Sequence, residues 1–232
     1  TATINLFDSP VSDDPGGINA SAVKAAPSQA RDLNVLFDAG ERIDQQKLGL
    51  KYRKSFGEYH EVIARTYVLQ RDFANKLPFA GGGMVQFDRN FFGGGVQYIN
   101  SAPIADLQNR LTLGLDIDQQ KDDRRRFNNN NGVRGALVFD QVEEVSSLGF
   151  FVQNELTLTD RVELTLGLRY DELEFDVDDK YLFDGDDSGD SDLDSLNGSV
   201  GLIWRIADLL YLYANLGTSF ETPTTTEFAN PL

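Results

Sequence analysis

The chain has no cysteine, a single histidine and no excess of positive charge. Without thiols it can build neither a disulfide framework nor a thiolate metal site. A net charge of −16 over 232 residues argues against general nucleic-acid binding, which needs a basic surface to meet phosphates. No stretch approaches the roughly 18 consecutive apolar residues of a membrane helix. That absence says nothing against membrane strands, whose apolar signal is diluted by alternation. The N-terminal TATINLFDSP lacks the basic and apolar regions of a secretory signal, so a secreted barrel with this start is expected to be a processed chain or an excerpt.

What is present is alternation. Leu148, Phe150, Val152, Leu156 and Leu158 alternate with Ser147, Gly149, Phe151, Gln153, Glu155 and Thr157. After Thr159-Asp160 come Val162, Leu164, Leu166, Leu168 and Tyr170, alternating with Glu163, Thr165, Gly167, Arg169 and Asp171. Successive strand side chains point to opposite faces, so each segment has one apolar and one polar face. Soluble strands usually run to about 5–6 residues, whereas these reach the roughly 9–11 of a tilted strand crossing a bilayer. Leu111, Leu113, Leu115 and Ile117 stand opposite Arg110, Thr112, Gly114, Asp116 and Asp118. Val200, Leu202, Trp204 and Ile206 stand opposite Ser199, Gly201 and Arg205, with Ile203 out of pattern. Leu111, Leu113, Leu115, Leu164, Leu166, Leu168, Val200, Leu202 and Trp204 are therefore the expected lipid-facing set. Segment 58–71 leaves its face open, because Val62/Ala64/Val68 and Ile63/Tyr67/Leu69 are both apolar.

The breaks between alternating segments sort into two kinds. Short ones fall at 55–58, 102–106, 159–160 and 207–208. Long polar ones fall at 8–34, 72–90, 121–144 and 178–193, and the two kinds alternate along the chain. Short turns on one side and long loops on the other are the outer-membrane pattern. The spacing predicts strands near 1–7, 35–55, 58–71, 91–101, 106–120, 145–158, 161–177, 194–206 and 209–221. The fold class is all-β: an antiparallel, up-and-down transmembrane β-barrel segment of about eight or nine long strands, forming a curved open sheet or a closed ring. Phe150 and Tyr170 are expected at similar heights toward the loop end, with Phe56 and Trp204 toward the other, as two interfacial aromatic levels.

At Gly149-Phe-Phe-Val-Gln-Asn-Glu155, Leu164-Thr-Leu-Gly-Leu-Arg-Tyr-Asp171 and Leu212-Tyr-Ala-Asn-Leu-Gly-Thr-Ser-Phe220 followed by Pro223, the chain resembles the barrel of a TonB-dependent outer-membrane receptor of the iron–siderophore class. Asp14-Pro-Gly-Gly17 and Arg71-Asp-Phe-Ala-Asn-Lys-Leu-Pro78 resemble further segments of that group. The resemblance implies a bacterial outer-membrane receptor that imports ferric siderophore with energy from TonB. It implies lipid and lipopolysaccharide as surroundings, no enzyme activity and no covalently bound cofactor. Family barrels are 22-stranded and plugged. Nothing in residues 1–232 resembles the plug or the TonB-contacting segment, and Asn230-Pro231-Leu232 is not the aromatic terminus of a complete barrel. The chain is therefore expected to be one partial barrel domain, with TonB met through a missing N-terminal region. Two rival readings are a small complete eight-stranded barrel acting as anchor or adhesin, and an outer-membrane enzyme.

Several residues invite a site reading. Arg124-Arg125-Arg126, expected in a long outer loop, suit capture of an anionic iron chelate; a solvated charge run or contact with lipopolysaccharide phosphates is the plainer account. Residues 171–194 hold twelve acidic side chains and one lysine. Within them Asp184, Asp186, Ser188, Asp190 and Asp192, with Gly189 sixth, imitate a Ca2+ loop, although position twelve is Ser195 rather than Glu; the plainer account is a self-repelling surface loop. Gly81-Gly-Gly83 and Gly93-Gly-Gly95 lack the Lys-Ser/Thr of a phosphate cradle and read as loop glycines and a close approach within the sheet. His60 falls beside a short turn, away from the outer end where chemistry would be expected. Arg110, Asp116, Arg169, Asp171 and Arg205 are expected to line the lumen and contact one another or a plug.

Overall fold

The computed structural model describes residues 1–225; Asn230-Pro231-Leu232 lies outside them. Nine antiparallel strands pair in chain order as one sheet. They are β1 (Ala2–Asp13), β2 (Gly40–Phe56), β3 (His60–Lys76), β4 (Met84–Asn100), β5 (Gln108–Asn130), β6 (Val133–Thr159), β7 (Val162–Asp179), β8 (Gly189–Ala207) and β9 (Leu210–Gly217). Two short helices, α1 (Ala20–Ala25) and α2 (Asp32–Leu36), lie between β1 and β2. Among the described residues β1 and β9 do not pair with each other, so the sheet is open rather than a closed ring.

Among the described residues no second layer covers the sheet. Among the described residues only Ala39, Met84, Ile99 and Phe175 are buried apolar side chains. The leucine-rich face is bare, with Leu113 at 43 %, Leu166 at 44 %, Leu202 at 41 % and Trp204 at 48 % exposure. Cross-strand partners share a face. The pairs Leu113–Val152, Val152–Leu168, Leu166–Val200 and Leu164–Leu202 therefore place all nine expected apolar positions on one side. Pairing also settles β3: Val68 partners Leu48 and Phe92 on that side, while Tyr67 partners Gly49 and Gly93 on the other.

The apolar patch climbs across the sheet. Leu50, near the centre of the patch on β2, follows the pairing through Thr66, Gly94, Ile117, Leu148 and Glu172 to Asp194 on β8. The centre of the β8 patch is Leu202, eight residues beyond Asp194. At about 3.3 Å per residue and about 4.8 Å per strand step, that offset over six steps corresponds to a strand tilt of about 40°, within the range of membrane barrels. A horizontal apolar band thus emerges from tilted strands. Its aromatic margins follow. Phe150 pairs directly with Tyr170 toward the loop end. At the other end Phe56 closes β2 and stacks on His60 at 5.5 Å, which stacks on Tyr98 at 5.9 Å.

Above the band on β1–β5 the same face carries a row of directly paired aspartates: Asp8, Asp44, Asp72, Asp88 and Asp123. Like charges opposite one another weaken a sheet and could not face hydrocarbon, so this row marks where water begins.

Turns at 57–59, 101–107, 160–161 and 208–209 lie at one end, as the sequence predicts, with the last two each shifted by one residue. Of the polar stretches expected as long loops, 121–144 and most of 72–90 are strand, whereas most of 8–34 and of 178–193 lies between strands as expected. β5 runs for 23 residues and β6 for 27, and they meet at Asn131-Gly132, both with positive φ (51° and 87°). That is the mirror-image turn that Asn-Gly favours in hairpins. A strand clear of the bilayer keeps its hydrogen-bond ladder but needs no apolar face, so loss of alternation there signals the end of lipid contact rather than the end of the strand.

Candidate ligand-facing wall

The face opposite the leucines is polar and ion-paired. Arg65 on β3 reaches Asp116 on β5 at 2.8 Å, and Arg169 on β7 reaches the other oxygen of Asp116 at 3.1 Å and Asp171 at 2.7 Å. The two contacts to Asp116 cross β4 and β6 without being blocked. Gly95 pairs between Arg65 and Asp116, and Gly149 between Asp116 and Asp171. A Cβ on Gly95 would lie 2.2 Å from the Asp116 carboxylate, and one on Gly149 would lie 2.3 Å from the Arg169 guanidinium. One row nearer the loop end, Tyr67 donates its hydroxyl to Asp118 across Gly93. The expected close approach at Gly93-Gly-Gly95 is therefore a passage for side chains. Of the expected lumen charges, Asp116, Arg169 and Asp171 join this chain, whereas Arg205 donates to the Asp160 carbonyl at the turn end.

Toward the loop end the same face holds a groove of about 560 Å³ lined by Phe87, Arg89, Phe91, Asp122, Arg124 and Glu143, with Thr222–Thr225 along one side. Arg89 grips Asp122 with two bonds of 2.8 and 2.5 Å, and Asp122 is 1 % exposed. Arg124 pairs with Glu143 at 2.7 Å, and Thr225 donates to the other Glu143 oxygen at 2.6 Å. The Arg89 guanidinium lies 5.1 Å from the Phe87 ring centre. Aromatic faces beside fixed guanidiniums can hold a planar or anionic group by stacking and paired hydrogen bonds.

The three consecutive arginines stand on strand β5, not in a loop, and alternation splits them. Arg124 faces the groove, Arg125 faces outward toward Asp123 at 2.8 Å and Asp140 at 3.5 Å, and Arg126 faces inward over the Phe139 ring at 5.4 Å. They do not form one cluster. The calcium-like spacing is likewise divided: Asp184, Asp186 and Ser188 occupy the β7–β8 loop, while Asp190 and Asp192 lie in β8 opposite Asp176 and Glu174. Among the described residues no three acidic, histidine or cysteine side chains converge as metal ligands. The Ser188 hydroxyl and N–H hold the Asp186 carboxyl below its ordinary range, which is a local turn. His60 Nδ1 lies 2.7 Å from the Tyr98 hydroxyl at the short-turn end.

Sequence reasoning missed Arg65, Tyr67, Asp118, Arg89 and Glu143, because their meaning depends on register. For Arg65 and Tyr67 a signal was present in the inward glycines Gly95 and Gly93, which separate them from Asp116 and Asp118; Arg89 and Glu143 carry no such mark.

The sequence profile described as "TonB dependent receptor-like, beta-barrel" matches residues 2–231. The fold is similar to the ferric citrate transporter FecA, with a TM-score of 0.75 and 14 % identity, covering 93 % of this chain and 32 % of that one. It is similar to the siderophore receptor PiuA from Acinetobacter baumannii, with a TM-score of 0.63 and 11 % identity, covering 76 % and 32 %. It also resembles the copper transporter OprC, with a TM-score of 0.62 and 19 % identity, covering 82 % and 32 %. The chain spans about a third of the length of these structures. An open wall, apolar on one face and ion-paired on the other, with its strands tilted to carry a level band, is thus matched by profile along nearly its whole length: the chain belongs to the TonB-dependent receptor β-barrel family, whose members are outer-membrane transport barrels rather than enzymes.

Proposed function

We propose that this chain is part of the wall of a receptor that imports ferric siderophore with energy delivered through TonB, the TonB contact being made by a segment outside these residues. The observation that carries this reading is the division of faces. Leu111, Leu113, Leu115, Leu164, Leu166, Leu168, Val200, Leu202 and Trp204 would meet outer-membrane lipid, the polar rows above them would meet lipopolysaccharide, and the inner groove would meet the ligand. The choice of chelate over bare metal rests on ligand chemistry. Copper favours sulfur and imidazole donors, yet these 232 residues hold no cysteine, one methionine and one histidine. Met84 is buried and His60 sits at the short-turn end. A groove of phenylalanines and guanidiniums suits an organic anion carrying its own iron.

Replacing Arg124, Arg125 and Arg126 by alanine in the full-length receptor should lower radiolabelled iron-chelate uptake by about tenfold, equivalent to about 1.4 kcal/mol. Arg125→Ala alone, which removes an outward side chain, should change uptake little. Unchanged chelate affinity in the triple variant removes these residues from the site. Accumulation of free copper salts with no response to any ferric chelate would overturn the substrate class.

A further inference from the structure

Asn129, at the outer end of β5, is completely buried, an unusual condition for an amide among loops. Its Nδ2 donates to the Phe37 carbonyl at 2.9 Å and to the Leu77 carbonyl at 3.1 Å, and its Oδ1 accepts from the Gly132 N–H at 2.7 Å. Its own backbone N–H donates to the Ala80 carbonyl at 2.7 Å. One residue therefore ties the segment between β1 and β2, the loop between β3 and β4, and the β5–β6 turn. Neighbouring contacts repeat the pattern. Gly82 N–H donates to Asn128 Oδ1 at 3.1 Å, Lys76 pairs with Asp38, and a Cβ on Gly132 would lie 2.9 Å from that of Asp38. The loop between β7 and β8 is bonded differently. Asp179 N–H donates to Ser188 Oγ, Asp187 N–H to Asp179 Oδ2, and Lys180 N–H to the Asp140 carbonyl, so it closes on itself and on β6.

We propose that Asn129 is a latch that joins three of the outer segments, around Phe37, Leu77–Gly83 and Asn131-Gly132, into one body that opens and closes as a unit, with the β7–β8 loop moving separately. Loops normally open locally and independently; here one amide supplies two donors and one acceptor to three of them. An aspartate at this position would offer no donor to either carbonyl.

Amide hydrogen exchange on the full-length receptor tests the latch. In Asn129→Ala and Asn129→Asp, exchange should quicken together, by about tenfold or more, in peptides covering 37–39, 77–83 and 130–133, while 180–188 stays as in the wild type. Acceleration confined to 130–133, or equal acceleration of 180–188, overturns the proposal. Should the variants fail to fold, the wild type decides. Under rising denaturant the amides of Leu77, Asn129 and Gly132 should share one opening free energy distinct from that of Asp187, and three unrelated values refute a common body.

Discussion

Leu166→Arg should destabilise the receptor in a lipid bilayer by about 2–4 kcal/mol, the range for a guanidinium placed on the lipid face near the midplane of a membrane barrel. Leu166 is 44 % exposed and stands mid-patch on β7, between Leu164 and Leu168, opposite Val200 and Asn154. Among the described residues no carboxylate shares its face nearby. The neighbouring Asn154 donates its Nδ2 to Asn109 Oδ1 at 2.6 Å, so it could offer an arginine only its neutral carbonyl oxygen, and the charge would have to thin the bilayer or reach for its edge. Reversible denaturant unfolding of the full-length receptor in vesicles measures the loss. Thr165→Arg, one residue away on the polar face, is the control and should change stability by well under half as much. Equal effects at 165 and 166 would mean that lipid does not touch the leucine side.

The second large effect is expected at Asp116. Its two oxygens bind Arg65 at 2.8 Å and Arg169 at 3.1 Å, and its side chain is 12 % exposed while those of its partners are 47 % and 39 % exposed. Truncation to alanine strands Arg65 and leaves Arg169 only Asp171. A charged hydrogen bond lost from a largely covered acceptor costs about 1.5–3 kcal/mol, and the exposure of the arginines places the effect toward the low end. The pair is better measured as a double-mutant cycle with Arg65→Ala, which should give a coupling of at least about 0.5 kcal/mol. Additive losses would show that the two side chains do not sense each other.

The membrane-facing half of this architecture was legible because lipid imposes a period. Where hydrocarbon requires an apolar side chain at every second position, as at Leu111–Ile117 or Leu164–Tyr170, strand, face and turn position follow from spacing alone. Beyond the bilayer that constraint lapses. Lys121 to Glu144 reads as loop by polarity, yet it is the continuation of two strands, and only Asn131-Gly132 records the turn that joins them. The inner wall was legible in kind but not in detail. Asp116, Arg169 and Asp171 could be assigned to the polar face by parity, but that Arg65 meets Asp116 across Gly95 depends on a register that separates them by 51 residues. Arg124, Arg125 and Arg126 look like a patch in one dimension, and strand geometry parts them.

The glycines of the inner wall have a further effect on the space they border. Because Gly93, Gly95 and Gly149 leave troughs between side chains, the long arms of Tyr67, Arg65 and Arg169 lie flat along the sheet instead of standing upright. A thin lining of this kind widens the bore available to whatever passes or fills it. Enlarging Gly95 or Gly149 would raise a guanidinium arm into that clearance, and enlarging Gly93 the Tyr67 ring, narrowing the space without changing its charge.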